Sequence, residues 1–294
     1  MQPYRPEGTI TQPPSPDALH KAAGTGDIFQ AMCVKCDEFH NLHVDLGPIR
    51  GLIPREETAL GIAEGKTRDI AILSRVGKSV CFQVLAFDSR GTAILSRRAA
   101  QSEARSYFLC ALRPGDVIPA VVQTVADFGV FCDIGCGFPA LMRIDRCCVS
   151  RLRSAKERFQ AGQAIYAAVL AADDQTGQIH LTGRELLGTW EENAALFRPG
   201  QTVPAVVRSV MPYGLFIELA PNLSGLAEPQ DGLAPGDAVS VYIRSIQADR
   251  HKIKLTVLEQ LPSGATVPPY RYFISSGHID RWEYYPRSAA VTLF

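Results

Sequence analysis

The chain has 294 residues, 46% of them hydrophobic, and its 30 lysines and arginines equal its 30 aspartates and glutamates. That length predicts roughly two or three domains of about 100 residues each, and the composition excludes a disordered or fibrous protein. Zero net charge argues against a binder that grips nucleic acid by bulk electrostatics, so RNA binding would rest on stacking and local arginines. No apolar run approaches the roughly 18 residues that span a bilayer. The opening MQPYRPEGTITQPPSP lacks the hydrophobic segment of a secretion signal. A cytoplasmic protein without membrane contact is expected.

Residues 1–14, rich in proline and without apolar periodicity, read as disordered. Ser15-Pro16-Asp17 then offers an N-cap, a proline at the first helical position and an acid in the first turn. A short helix through Ala23 follows, so residues 1–21 form a disordered and helical lead-in. From residue 22 to 98 the runs IFQAMCV, LHVDLG, RGLIP, SVCFQVLAF and TAILSRR read as five strands, with EETALGIAEGKT as a helical insertion. Residues 99–112 carry helix formers and read as a linker helix ending at Arg113-Pro-Gly.

The second unit, 113–187, gives VIPAVVQTV, GVFCDI, ALMRI, AIYAAVLAA and QIHLTG. Glu185 to Phe197 reads as another helix, with 188–197 linking the units. The third unit, 198–259, gives VPAVVRSV, GLFIEL, LSGLAE, AVSVYIRSI and KIKLTVLE. Five short strands per unit suit a small closed barrel, which leaves no exposed sheet edge. Residues 260–294 form a tail that interleaves rings and cations: Tyr270, Arg271, Tyr272, Phe273, Arg281, Trp282, Tyr284, Tyr285 and Arg287. It is either a stacking platform or a segment packed on the third unit, and packing is expected.

The second and third units are copies. Arg113–Arg143 aligns without a gap on Arg198–Glu228 at an offset of 85 residues, with 11 of 31 positions identical. A repeated surface suits a repetitive partner, and a nucleic-acid strand is one.

Eight cysteines lie mostly in strand-like runs, where buried free thiols act as small hydrophobes. Cys33-Val-Lys-Cys36 has the spacing of half a zinc site, but nothing completes it. No phosphate-binding loop, nucleophile elbow or HExxH motif is present, so neither an enzyme nor a cofactor is expected.

The succession Gly115-Asp-Val, then Ala-Val-Val, Phe128-Gly-Val-Phe131, Asp133-Ile-Gly and a closing Leu-Thr-Gly-Arg resembles the RNA-binding barrel of the small-subunit ribosomal protein S-one family. The third unit resembles it too, and GPIRGLIPREE with AILSRRAA in the first is similar to that family's N-terminal barrel. The resemblance covers roughly residues 22–259. It implies an all-β chain of three tandem five-stranded OB-fold barrels, like the short form found in some Gram-positive bacteria. It also implies an RNA surface. In the second barrel the two aromatics fall on Phe128 and Phe131 and an acid on Asp174. The family's histidine is replaced by Arg143 and its arginine by Gln178. In the third barrel the aromatics fall on Tyr213 and Phe216, the acid on Asp249 and the basic position on Lys252, while Glu228 stands at the histidine position and would repel phosphate. The first barrel has His43-Val-Asp-Leu-Gly where the aromatics should be, and the resemblance implies that this barrel attaches to the small ribosomal subunit.

Phe128 and Phe131 are three apart, which breaks strict strand alternation, and Gly129 between them allows a bend that turns both rings outward. The alternative is that one or both are core residues. Arg143, Arg146, Arg151, Arg153, Lys156 and Arg158 face only Asp145 and Glu157 in the same stretch, a local cluster able to track phosphates or simply to be solvated. The expected function is therefore binding of single-stranded RNA, mRNA in particular, in support of translation. Three alternatives stay open: a free RNA-binding regulator, a non-catalytic subunit of an RNA-degrading complex, and a protein-interaction scaffold that binds no RNA.

Overall fold

A computed structural model describes residues 4–8, 13–173, 175–262, 270–286 and 288–294. Ser15 accepts a hydrogen bond from the Ala18 amide and opens α1 (Pro16–Lys21), which buries Leu19 in the first barrel. The helix stops before Ala23 because the Gly24 amide turns away to the Val84 carbonyl.

The first barrel is built from β1 (Ile28–Cys36), β2 (Leu42–Leu46), β3 (Ile49–Ile53), β4 (Ser79–Phe87) and β5 (Ala93–Ser96), closed in the order β1-β2-β3-β5-β4. The helix expected between β3 and β4 is largely absent. A short turn of helix follows β3 and α2 (Ile70–Leu73) precedes β4, but between them Gly61 and Gly65 adopt positive φ. The Gly61 carbonyl accepts from the amides of both Lys66 and Thr67, which folds the stretch into turns.

Two further barrels repeat the plan. The second contains β6 (Val117–Ala126), β7 (Gly129–Asp133), β8 (Pro139–Arg143), β9 (Ala164–Asp173) and β10 (Gln178–Thr182). The third contains β11 (Thr202–Met211), β12 (Gly214–Ala220), β13 (Leu223–Ala227), β14 (Ala238–Gln247) and β15 (Lys252–Gln260). In each, the third and fifth strands run parallel and every other pairing is antiparallel, which closes the five-stranded OB barrel. The long first strand of each slips register at one position: Cys33/Lys35, Val122/Thr124 and Val207/Ser209. An extra residue there bends the strand around the barrel corner. Alternating residues fill the interiors, for example Ile118, Ala120 and Val122 from β6 with Val130 and Cys132 from β7.

The cysteines behave as core residues: six of the eight are buried and all are free. Burial pushes the Cys132 thiol up to about 12, and Cys33 up to about 11.

The connections depart most from expectation. Linker α3 (Arg97–Ala111) is capped by Ser96 and drives Ala100, Ala104 and Phe108 into the core of the second barrel. The second linker is no continuous helix: a short turn at Arg184–Leu187 precedes α4 (Trp190–Ala194). Gly188 breaks it at φ 81, where a side chain would collide with Phe273. α4 itself starts with a reciprocal Thr189–Glu192 capping box.

Tyr4–Gly8, expected to be disordered, is wedged between the first two barrels. Glu7 is bound by Arg97 at 2.7 and 2.9 Å and by Arg75 at 3.4 Å, and accepts from the Cys81 amide at 3.0 Å. The Glu7 amide donates to Asp133, and the Arg5 carbonyl accepts from the Cys136 amide. These buried polar partners hold a segment whose own composition would leave it free.

The tail packs on the second barrel as well as the third. His278 meets Asp116 at 2.7 Å, the Ile279 amide donates to the Gly115 carbonyl, and Tyr270 Oη donates to the Cys147 carbonyl. Tyr284 Oη donates to the Asn222 carbonyl at 2.5 Å in the third barrel, and the hairpin β16 (Arg281–Glu283) with β17 (Val291–Leu293) closes the chain. The Arg287 position lies outside the described residues, as do residues 263–269.

Candidate nucleic-acid interface

Strand register sets one outward row on every barrel. In the second it runs Thr124, Phe131, Leu141 and His180, paired successively across β6, β7, β8 and β10. In the third the same positions hold Ser209, Phe216, Leu226 and Lys254. Inward neighbours such as Val130, Cys132, Ala140 and Met142 are buried, so this row is the outer face.

At the head of the row a second ring joins. Phe128, 57% exposed, stands edge-on to Phe131 with centroids 6.1 Å apart and planes at 87°. Tyr213, 65% exposed, does the same to Phe216 at 6.2 Å and 88°. Neither Phe128 nor Phe131 is buried, so the outward turn expected at Gly129 is realised. The reason is a close approach: a side chain at Gly129 would strike the Met142 carbonyl, and one at Gly214 the Ala227 carbonyl. The hairpins therefore lie tightly on their neighbouring strands and project the preceding ring over the face.

The cations divide into two kinds. Arg143 is exposed beside the rings and meets Asp145 at 3.0 Å; Arg146, half-buried, meets the same acid at 3.7 Å. Arg151 is exposed, and Arg153 and Lys156 reach Glu157 and Asp127 at 3.2 and 3.1 Å. Arg158 belongs elsewhere. It is buried and donates to both oxygens of Glu218 in the third barrel, at 2.6 and 2.8 Å. Arg208 also donates to Glu218 and reaches Glu157 at 2.6 Å. Burial raises the Glu218 carboxyl's pKa, but Arg158 and Arg208 outweigh it and hold the group below its ordinary range.

Of the other expected residues, Gln178 is exposed at the start of β10 and Asp174 lies outside the described residues. The adjacent Asp173 has a structural task. Hydrogen bonds from the Thr176 hydroxyl and amide, and from the Gln175 amide, lower its pKa and fix the β9–β10 turn. In the third barrel Asp249 and Lys252 are exposed around the β14–β15 turn, and Glu228 is exposed with Arg244 at 3.2 Å. His180 and Lys254 were missed by the sequence reading, although they sit one pairing step from Leu141 and Leu226. Counting alternate positions inward from the closing Thr-Gly would have found His180. Among the described residues no group of three or more histidine, cysteine or acidic side chains is placed to hold a metal ion.

No family model matches the chain. Over 274 residues it is 28% identical to the small ribosomal subunit protein bS1 homolog of Bacillus subtilis (strain 168), covering 87% of this chain and 69% of that one. It is 27% identical over 262 residues to small ribosomal subunit protein bS1 of Mycobacterium tuberculosis (strain ATCC 25618 / H37Rv), covering 83% of this chain and 53% of the relative. The chain thus spans about half the length of the latter. The resemblance read from the repeated motif holds over most of the chain, and these relatives are ribosomal proteins rather than enzymes. Among solved structures, a multidomain protein with nucleic acid binding domains from Streptococcus pneumoniae covers 80% of this chain and 74% of its own at 16% identity, with a TM-score of 0.28. No helix among the described residues is long and apolar enough to cross a membrane.

Proposed function

We propose that the protein is a cytoplasmic, ribosome-associated binder of single-stranded RNA that holds mRNA on its second barrel and supports translation without covalent chemistry. The carrying observation is that two barrels present the same ring pair, one ring exposed and one half-buried, at nearly the same spacing and angle on the same strand face. Exposed aromatic pairs on an OB face suit bases, because every base has a π-face and stacking contributes about 1–3 kcal/mol per base. Arg143 beside Phe128 and Phe131 supplies a planar cation that forks to phosphate. The third barrel has the rings but also the exposed Glu228, so its hold is weaker. The bS1 relatives support association with the small ribosomal subunit, and the family resemblance assigns that attachment to the first barrel.

Fluorescence anisotropy of a labelled single-stranded RNA at low and moderate salt tests this. Phe131→Ala is expected to weaken binding by about 1–3 kcal/mol and Phe216→Ala by less. Wild-type protein that binds no RNA even at low salt would overturn the reading in favour of a protein scaffold. Co-sedimentation with small ribosomal subunits separates a ribosome-bound protein from a free regulator.

A further inference from the structure

Strand alternation sends Val80 and Phe82 of β4 into the core of the first barrel. Cys81 between them points the other way, yet it is fully buried, because it packs into the core of the second barrel. There it meets Cys136, at the tip of the β7–β8 hairpin, and the two thiols are hydrogen-bonded to each other. Cys136 holds φ 53, a left-handed conformation that residues with a Cβ seldom adopt. Its amide donates to the Arg5 carbonyl at 2.9 Å, while the Cys81 amide donates to Glu7 at 3.0 Å. One short stretch, Arg5 to Glu7, thus holds the backbone of both cysteines.

The pair is not sealed. A cavity of about 380 Å³ reaches both cysteines and is lined besides by Tyr4, Arg5, Gln30 and Glu103. Asp27, Glu103 and Arg5 are exposed on it and leave its entrance net negative. Such an entrance disfavours anions and admits a small neutral oxidant. The hydrogen bond that Cys81 donates to Cys136, and then burial, push the Cys81 thiol well above its ordinary value. Cys81 therefore keeps its proton, and Cys136 is the group that reacts first.

We propose that Cys81 and Cys136 are a peroxide-responsive thiol pair whose disulfide locks the first barrel to the second. The Cys136 sulfur attacks one oxygen of hydrogen peroxide, the O–O bond breaks, and the departing oxygen leaves with the thiol proton as water. Cys136 is then a sulfenic acid. The Cys81 sulfur attacks it, the S–O bond breaks, and the hydroxyl leaves with the Cys81 proton as a second water. Two thiols are oxidised to one disulfide, and one peroxide is reduced to two waters. Sulfurs already in hydrogen-bond contact need only a small approach to reach bonding distance. The bond ties β4 to the β7–β8 hairpin beside the Glu7 ion pairs, so the junction no longer opens locally. Thiol–disulfide exchange with a reductant releases it.

The test uses the full chain, reduced and then exposed to hydrogen peroxide without denaturant. Remaining thiols are alkylated in denaturant, and the chain is digested without reductant for mass spectrometry. The expected product is a Cys81 peptide joined to a Cys136 peptide, lighter than their sum by two hydrogens and separated again by dithiothreitol. Amide exchange in β4 and the start of α3 should slow severalfold on oxidation and recover on reduction. Cys81→Ser and Cys136→Ser should each abolish both changes, and exchange in the untreated variants shows whether the junction still forms. Oxidation of the exposed Cys110 while Cys81 and Cys136 both remain alkylatable would overturn the pair. Sulfinic acid at Cys136 without a joined peptide would overturn it equally. Joined peptides with unchanged exchange would overturn the lock.

Discussion

The two junctions between barrels solve one problem with different parts. At the junction of the second and third barrels, Glu218 on β12 sits between Arg158 and Arg208. The same position of the repeat, 85 residues earlier, is Asp133 on β7, which also points into a junction. Asp133 spends its oxygens on the Gly135 and Gly137 amides and on the Glu7 amide. The carboxylate that meets Arg97 and Arg75 is Glu7, from outside the repeat. A carboxylate one methylene shorter caps its own hairpin rather than reaching a neighbour's arginine, so the first junction borrows an acid. The barrels are repeated, whereas the mortar between them is not.

Breaking the self-contained junction should have the largest effect. Glu218→Ala leaves Arg158 buried without an acid and Arg208 with Glu157 alone, and a loss of about 3–5 kcal/mol in denaturant unfolding is expected. A loss well under 1 kcal/mol would mean that water already reaches both guanidinium groups. Glu7→Ala should cost about 2–4 kcal/mol, somewhat less because Asp133 remains beside Arg97. Its signature is local: faster amide exchange in β4 and the start of α3, with the third barrel unchanged.

The two junctions should also respond oppositely to pH. Burial, and then the charge of Glu7, raises Asp133 to about 7. A carboxyl with a raised folded pKa favours folding in its protonated form, so its contribution is present below the unfolded value near 4 and lost as pH rises toward 7. Glu218 is lowered, so its contribution is present above the unfolded value and lost on acidification through the folded one. Amide exchange between about pH 5 and pH 8 should show the first junction loosening with rising pH while the second holds steady. Equal responses would refute the assignment.

The smallest effect sharpens the contrast between the two ring faces. Glu228→Arg places in the third barrel the residue type the second has as Arg143. RNA affinity should rise by about 0.5–1 kcal/mol in low salt and by less as salt screens it. No change would locate the third barrel's weakness elsewhere on its face.

Much of this was legible in the residues. Period-two alternation and turn glycines gave the strands of all three barrels, and the repeat with its Phe-Gly-x-Phe and Tyr-Gly-x-Phe motifs pointed to the ring pairs. The basic stretch after β8 was only half legible. Arg143 and Arg158 look alike in sequence, yet one is exposed beside the rings and the other is buried against Glu218, 60 residues away. The helix expected after β3 failed because propensity over a dozen residues was outweighed by two glycines at positive φ.

The sequence by itself determined three five-stranded units and the ring motifs, because alternation and tight turns are encoded over a few neighbouring residues. Tertiary structure alone decided that Tyr4–Gly8 is a structural wedge and that the tail spans two barrels. Those facts rest on pairings between residues far apart in the chain, 126 positions in the case of Glu7 and Asp133. No local pattern records which distant partner a buried charge will meet.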